Sequence, residues 1–338
     1  MQEIHTKVLI VGAGPIGLFS VFMLGMMQLR CCVLDALPVL GGQCQVLYPD
    51  KPIYDIPGFP SIQAGALIQA LKTQINPFDA HFFLEEKAET AVRENDLWHV
   101  TTSRGRVFHT HSIILCCGSG LFVPRRPPLP NIEPFEGQSV FYYVPDVERF
   151  LGKDVVIAGG GDSAVDWALM LAPLTKSLHM VHRRAQFRAQ DHTLAQLKSL
   201  QDSGKLTLHV PFQLSKLYGE GKQLSHVEIS DFSGNITTLK ADFLLPFFGL
   251  ESNIGPLKTW GLFTEKDHFC TDPLTGQTNL PGIYAAGDSA SYPHKLKLIL
   301  TGFSEVAQIA HHIKRMLFPE RAASFQHSTT SGIPKALV

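Results

Sequence analysis

Val8-Leu9-Ile10-Val11-Gly12-Ala13-Gly14-Pro15-Ile16-Gly17 decides the fold. Four apolar residues running into glycine predict a short buried strand, and a helical pattern follows from Pro15 to about Leu29. Cys31 to Leu34 predicts a second short strand, closed by Asp35. This is a strand-helix-strand unit, and its turn reads G-x-G-x-x-G. Gly12 permits the tight turn, Gly14 lets backbone approach a pyrophosphate, and Gly17 lets the helix pack close to the strand. The N-terminus of the helix that starts at Pro15 offers free N–H groups and a positive dipole end to the phosphates. Asp35 stands where an acid reaches ribose hydroxyls. The unit therefore predicts a dinucleotide site.

The pattern returns 147 residues later, counting from Gly12 to Gly159. Asp154 to Ala158 predicts a strand, Gly159-Gly160-Gly161-Asp162-Ser163-Ala164 a G-x-G-x-x-A turn, and the segment from Ala164 to about Leu171 a helix. After the next strand no acid appears. The chain instead reads His182-Arg183-Arg184-Ala185-Gln186-Phe187-Arg188. An acid there would repel a 2′-phosphate, whereas Arg183, Arg184 and Arg188 can pair with one, so this site is expected to take NADPH through Gly159, Gly161, Asp162, Ser163, Ala164 and those arginines. Between the two units a helix is expected from Gly65 to about Ile75 and a small antiparallel sheet within Phe82 to Phe108. A further buried strand is expected at Ser112 to Cys117, then a proline-rich linker from Val123 to Pro134.

Composition narrows the class. Hydrophobic residues make up 45% and charged residues 17% of 338 residues, which fits a globular chain of about two domains. A net charge of -1 argues against binding nucleic acid by neutralising phosphates. The N-terminus runs straight into a strand without a signal-peptide pattern, and no apolar stretch is long enough to span a bilayer, so a cytoplasmic setting is expected. The six cysteines include the neighbours Cys31/Cys32 and Cys116/Cys117, whose side chains point to opposite faces of a strand and make poor partners for each other. The histidines, among them His109, His111, His311 and His312, show no grouping with acids or cysteines along the sequence. They are read as surface or satisfied residues, and no metal site is expected.

Further segments carry a resemblance. Asn279-Leu280-Pro281-Gly282-Ile283-Tyr284-Ala285-Ala286-Gly287-Asp288 resembles the second FAD motif of flavoproteins with two dinucleotide domains. Together with Gly41-Gly42-Gln43, Leu47-Tyr48-Pro49-Asp50-Lys51, Tyr54-Asp55-Ile56-Pro57-Gly58, His182-Arg183-Arg184 and Lys297-Leu298-Ile299-Leu300-Thr301-Gly302-Phe303, it makes the chain similar to the thioredoxin-reductase-like ferredoxin/flavodoxin–NADP+ reductase family. The resemblance covers nearly the whole chain. It implies an α/β fold with two Rossmann-like domains for FAD and NADPH, the second inserted into the first. The FAD domain would span 1–120 and 250–320, the NADPH domain 121–249, and a C-terminal extension, 321–338, would cover the flavin.

On this resemblance FAD occupies the first site, contacting Gly12, Gly14, Pro15, Gly17, Asp35, Gln43, Tyr48, Asp55, Phe122, Asp288 and Thr329. Tyr48 and His327 are expected to stack on the two faces of its ring, and the helix opening near Thr301 to direct its dipole at the ring edge. The implied activity is electron transfer between NADPH and a one-electron carrier, ferredoxin or flavodoxin, by hydride transfer to the flavin and a semiquinone, in a homodimer. Lys295, Lys297, Arg125 and Arg126 are candidate cations for docking an acidic ferredoxin. The alternatives are an NADPH-dependent disulfide reductase and a non-catalytic NADPH-sensing flavoprotein. Two departures disfavour dithiol chemistry. The chain has no C-x-x-C, and Pro49 stands where a second cysteine after Cys44 would be needed.

Overall fold

The opening strand, Glu3–Val11, is buried over its last four residues because it is covered on both faces, and alternation along it separates two cores. In this computed structural model, which describes residues 2–120, 123–144, 146–251, 253–321, 329 and 332–334, Val8 and Ile10 point into one core. There they meet the helices Pro15–Met26, Ala64–Ile75 and Ile299–Leu317. Leu9 and Val11 point into the other core, with Trp98, Val100 and Phe108 and with Ile254, Leu257 and Trp260. An unbroken apolar run is what a strand buried on both faces requires.

The chain divides into two compact units, Met1–Phe122 with Ser252–Val338, and Val123–Glu251. In the first, the central sheet is parallel around Glu3–Val11, which pairs with Cys31–Leu34 on one side and Val107–Leu115 on the other. His81–Phe83 extends one edge. The strand Val107–Leu115 shares its far edge between two partners. Its first half pairs antiparallel with Leu97–Thr102, and its second half parallel with Ile283–Ala285. The antiparallel strands that the sequence suggested as a small sheet within Phe82 to Phe108 are therefore a continuation of the main sheet.

The second unit holds a four-stranded parallel sheet around Asp154–Ala158. One face is covered by an antiparallel meander, Gln213–Glu220, Gln223–Ser230 and Ile236–Lys240, which contributes Leu217, Val227 and Ile229 to a core with Val156 and Ala158. The segment expected to be a linker belongs to this unit. Val123–Pro124 pairs with Leu250–Glu251, and Leu129 and Ile132 are buried in the same core. Its prolines stiffen a packed segment, and the apolar residues between them supply the burial.

Among the described residues, one carboxylate lies fully inside the first unit. Glu86 is 0% exposed and accepts hydrogen bonds from Thr102 and Arg106, whose guanidinium also lies over the Phe83 ring at 5.3 Å. The Glu86 backbone N–H donates to the Asp35 carbonyl at 2.9 Å, so the pair braces the end of the second strand. Removing one partner of a buried ion pair strands the other charge. Arg106→Ala is expected to lower stability by about 3 kcal/mol in urea unfolding of the flavin-free chain. Arg106→Lys is expected to lose less, because it keeps a cation beside the carboxylate.

Candidate functional site

Both glycine-rich turns sit at the C-terminal ends of parallel strands, where open α/β sheets place their ligands. In the first, Gly12 has φ +110 and donates its N–H to the Leu34 carbonyl at 2.8 Å. A Cβ on Gly12 would lie 2.3 Å from the Cys116 carbonyl oxygen, and one on Gly17 would lie 1.9 Å from the Gly12 oxygen. Those two glycines are needed for packing. Gly14 is different: a Cβ there would meet nothing within 4 Å, so its bare backbone faces open space. It caps the helix Pro15–Met26, and no side chain closes that N-terminus.

Asp35 locks this turn. Its carboxylate accepts from the Ala13 N–H at 2.5 Å and from the Leu37 N–H at 2.7 Å. Burial pushes its pKa up, and the two amides pull it back. Each carboxylate oxygen has a second acceptor position, which leaves capacity for hydroxyl groups.

A cavity of about 300 Å³ opens over the turn, within the usual size of small-molecule sites. Gly12, Gly14, Pro15, Asp35, Gln43, Tyr48 and Asp288 line it. Gly17 lies beneath it. Asp55 and Thr329 are exposed and are not among the lining residues, while Phe122 and His327 fall outside the described residues. Cys44 Sγ donates to Tyr48 Oη at 3.8 Å, and burial raises the pKa of both groups, so the ring is a neutral aromatic wall. Burial likewise pushes the lining thiols of Cys116 and Cys117 up, to about 12 and about 11. All six cysteines are free.

Asp288 is held by its neighbours. The Gly287 N–H donates to Glu305 Oε2 at 2.7 Å. The Glu305 carboxylate also accepts from Tyr292 at 2.6 Å and pairs with Lys295. Lys295 is only 5% exposed, so it is a buried brace for the Gly287-Asp288 turn and not the docking cation its sequence suggested. Arg126 is paired with Glu133 and Glu136. Lys297 stays exposed, lines the cavity, and lies 3.0 Å from His268, whose other ring nitrogen donates to the Asp288 carbonyl at 2.6 Å. The last helix begins at Ile299, and Leu298 and Ile299 reach the cavity wall. A Cβ on Gly302 would lie 2.5 Å from Ile16 and 3.1 Å from the Gly287 Cα, so close approach of three segments fixes this corner.

Sequence reading missed the contributions of Glu86 to Ala88 and of Asn253 to Leu257 to the cavity. Neither stretch carries a local signal. The first lies beside Asp35 through the Glu86 amide, and the second is placed by the isolated bridge between Gly120 and Asn253.

The second turn repeats the first with a different lock. Gly159 donates to the Val181 carbonyl at 3.0 Å, as Gly12 does to Leu34. The residue that follows is His182, where the first turn has Asp35, and Gly160 stands where the first has Ala13. A Cβ on Gly160 would come within 2.3 Å of the His182 ring. The glycine is thus the counterpart of the larger side chain. The loop after His182 folds back on the turn. The Arg188 N–H donates to the Gly160 carbonyl at 2.7 Å, and Asp162 Oδ1 accepts from the Gln190 N–H at 3.2 Å. His182 Nε2 lies 3.3 Å from the Gln186 carbonyl oxygen. Burial lowers the His182 pKa; the Gln186 carbonyl opposes that, and the three nearby arginines add to it. Arg183, Arg184, Arg188, Asp162 and Ser163 are exposed, and Ala164 is buried under the turn. Gly161 caps the helix Asp162–Leu171 without a side-chain cap.

Comparison with known proteins gives the family and the fold. Residues 6–312 match the family model described as pyridine nucleotide-disulphide oxidoreductase. Relatives named ferredoxin–NADP reductase include one from Paramagnetospirillum magneticum, 48% identical over 99% of this chain and 100% of its own. Another, from Granulibacter bethesdensis, is 50% identical over 98% of this chain and 95% of its own. Among solved structures, thioredoxin reductase from Lactococcus lactis superposes with a TM-score of 0.78 at 23% identity, covering 93% of this chain and 99% of that one, a likeness of fold.

The Gly160–His182 contact is open to a double-mutant cycle. Gly160→Ala is expected to destabilise the chain by about 1–3 kcal/mol in chemical unfolding, as overpacking does. Most of that loss is expected to return in Gly160→Ala/His182→Asp, which recreates the first turn's pairing. Additive losses would show that the two residues do not interact.

Proposed function

Because the chain belongs to the pyridine nucleotide-disulphide oxidoreductase family, we propose that it is an FAD-dependent reductase moving electrons between NADPH and a ferredoxin. The observation that carries this reading is the contrast between the two locks. One turn is closed by an acid suited to ribose hydroxyls. The other is closed by His182 and followed by three exposed arginines.

The first cavity fits FAD. Gly14 offers backbone with no side chain in front of it, the N-terminus of the helix Pro15–Met26 supplies amides for a pyrophosphate, and Asp35 keeps acceptor capacity for the ribose. Tyr48 supplies an aromatic face for a flat ring, and Asp288 is fixed in the same wall. When bound, FAD accepts two electrons together from NADPH and releases them one at a time, which matches one NADPH to two ferredoxins. The chain's residues bind, orient and exclude water. Arg183, Arg184 and Arg188 hold the 2′-phosphate by charge-assisted hydrogen bonds, and the N-terminus of the helix Asp162–Leu171 takes the pyrophosphate. The lining thiols are protonated at neutral pH, which argues against a dithiol relay.

Flavodoxin as a second carrier, a homodimer, a cytoplasmic setting, and stacking of His327 from the tail over the flavin belong to the same reading. Support comes from six free thiols, which suit a reducing compartment, and from the absence of a helix among the described residues long and apolar enough to cross a membrane.

The test is anaerobic reduction of the purified holoenzyme, followed by cytochrome c reduction with and without ferredoxin. NADPH is expected to bleach the flavin rapidly without changing the titratable thiols, and ferredoxin to accelerate cytochrome c reduction. The Arg183→Ala/Arg184→Ala variant is expected to raise KM for NADPH about tenfold or more while leaving NADH kinetics nearly unchanged. New thiols on reduction would favour a disulfide reductase, and an unreduced flavin would remove the enzyme reading.

A further inference from the structure

Three neighbouring strands of the first unit bring histidines into register on one face. His5 lies beside His109, and His109 beside His99. Alternation puts Glu3 on the same face as His5. The His5 and His109 rings stack with centroids 4.5 Å apart and planes 12° apart, and His99 stands edge-on to His109 at 4.5 Å. Glu3 Oε2 lies 3.8 Å from His109 Nε2, which is buried and has no hydrogen-bond partner. The sequence places His109 outside any ligand grouping, whereas in the fold it lies beside Glu3 and His5. More than a hundred residues separate it from Glu3 and His5, and only the parallel register brings the three together.

We propose that Glu3, His5 and His109 form a zinc site that clips the strand Glu3–Val11 to Val107–Leu115. One ligand atom from each residue lies within 4.8 Å of the other two. Tetrahedral zinc with bonds of about 2.0–2.2 Å sets its ligands roughly 3.3–3.5 Å apart. The Glu3–His109 pair is close to that already, and Glu3 and His5 are exposed; the His5 ring turns out of its stack on His109 to present a nitrogen to the ion. A carboxylate and a histidine two apart on one strand converge with a histidine on the next strand, leaving the fourth position for water. Imidazole with carboxylate suits zinc, and it offsets one of the two positive charges. The site lies at the far end of the opening strand from the glycine turn, roughly 25 Å away at about 3.3 Å per residue. It goes beyond the reductase reading and does not depend on it.

The test uses the FAD-loaded chain, stripped with a chelator and desalted. Calorimetric titration with zinc chloride is expected to show one ion per chain and a thermal midpoint that rises with added zinc. His5→Gln and Glu3→Gln, both on exposed residues, are expected to weaken binding about tenfold or more and to abolish the thermal shift. Metal-free reduction by NADPH should be the same in all three proteins. Absence of zinc binding in the wild type, or equal affinity in either variant, overturns the proposal.

Discussion

The N–H of Ala13 donates to the Asp35 carboxylate at 2.5 Å, and the geometry of the first cavity depends on that contact. It fixes the glycine turn against the end of the second strand and aims the N-terminus of the helix Pro15–Met26. It also holds a carboxylate inside the fold. That is costly unless hydrogen bonds to the ionised form compensate, and the Ala13 and Leu37 amides supply them. The rest of the wall is braced against this corner. Glu86 fixes the chain after Asp35 through its own amide, and the Glu305–Lys295 pair fixes Gly287-Asp288 on the opposite side. Buried charges are used here to set position, and each has its partner.

The second unit uses the same turn with one exchange. Ala13 with Asp35 becomes Gly160 with His182, and the space given up by the alanine methyl is occupied by an imidazole. The exchange removes the negative charge from the edge where a ribose phosphate would lie, and the loop that returns to the Gly160 carbonyl exposes three guanidinium groups there. Two sites that share a backbone scheme are thus given opposite electrostatics by a few side chains. In this family's chemistry the flavin carries the reaction, and the chain's contribution is to choose and orient its two nucleotides.

The turns were legible because a G-x-G-x-x-G motif imposes local steric demands: Gly12 needs positive φ, and Gly17 needs the absence of a Cβ. The strands were legible for the same reason, since Val8 to Val11 is apolar on both faces. What sequence did not show is what long-range register decides. The antiparallel strands merge with the main sheet because Val107–Leu115 is long enough to hold two partners along one edge, which no local pattern announces. Lys295 looks like any surface lysine until Glu305 is placed against it. The proline-rich segment reads as a linker because prolines dominate its composition, although Leu129 and Ile132 carry its packing. Glu3, His5 and His109 meet through strand pairing alone.

The most direct measurement of the central claim is the flavin content of the purified chain after gel filtration, compared between Asp35→Ala and His182→Ala. Asp35→Ala is expected to emerge largely colourless, with flavin regained only at high added FAD, while His182→Ala keeps one FAD per chain. Equal flavin retention in the two proteins would contradict the assignment of FAD to the acid-closed turn.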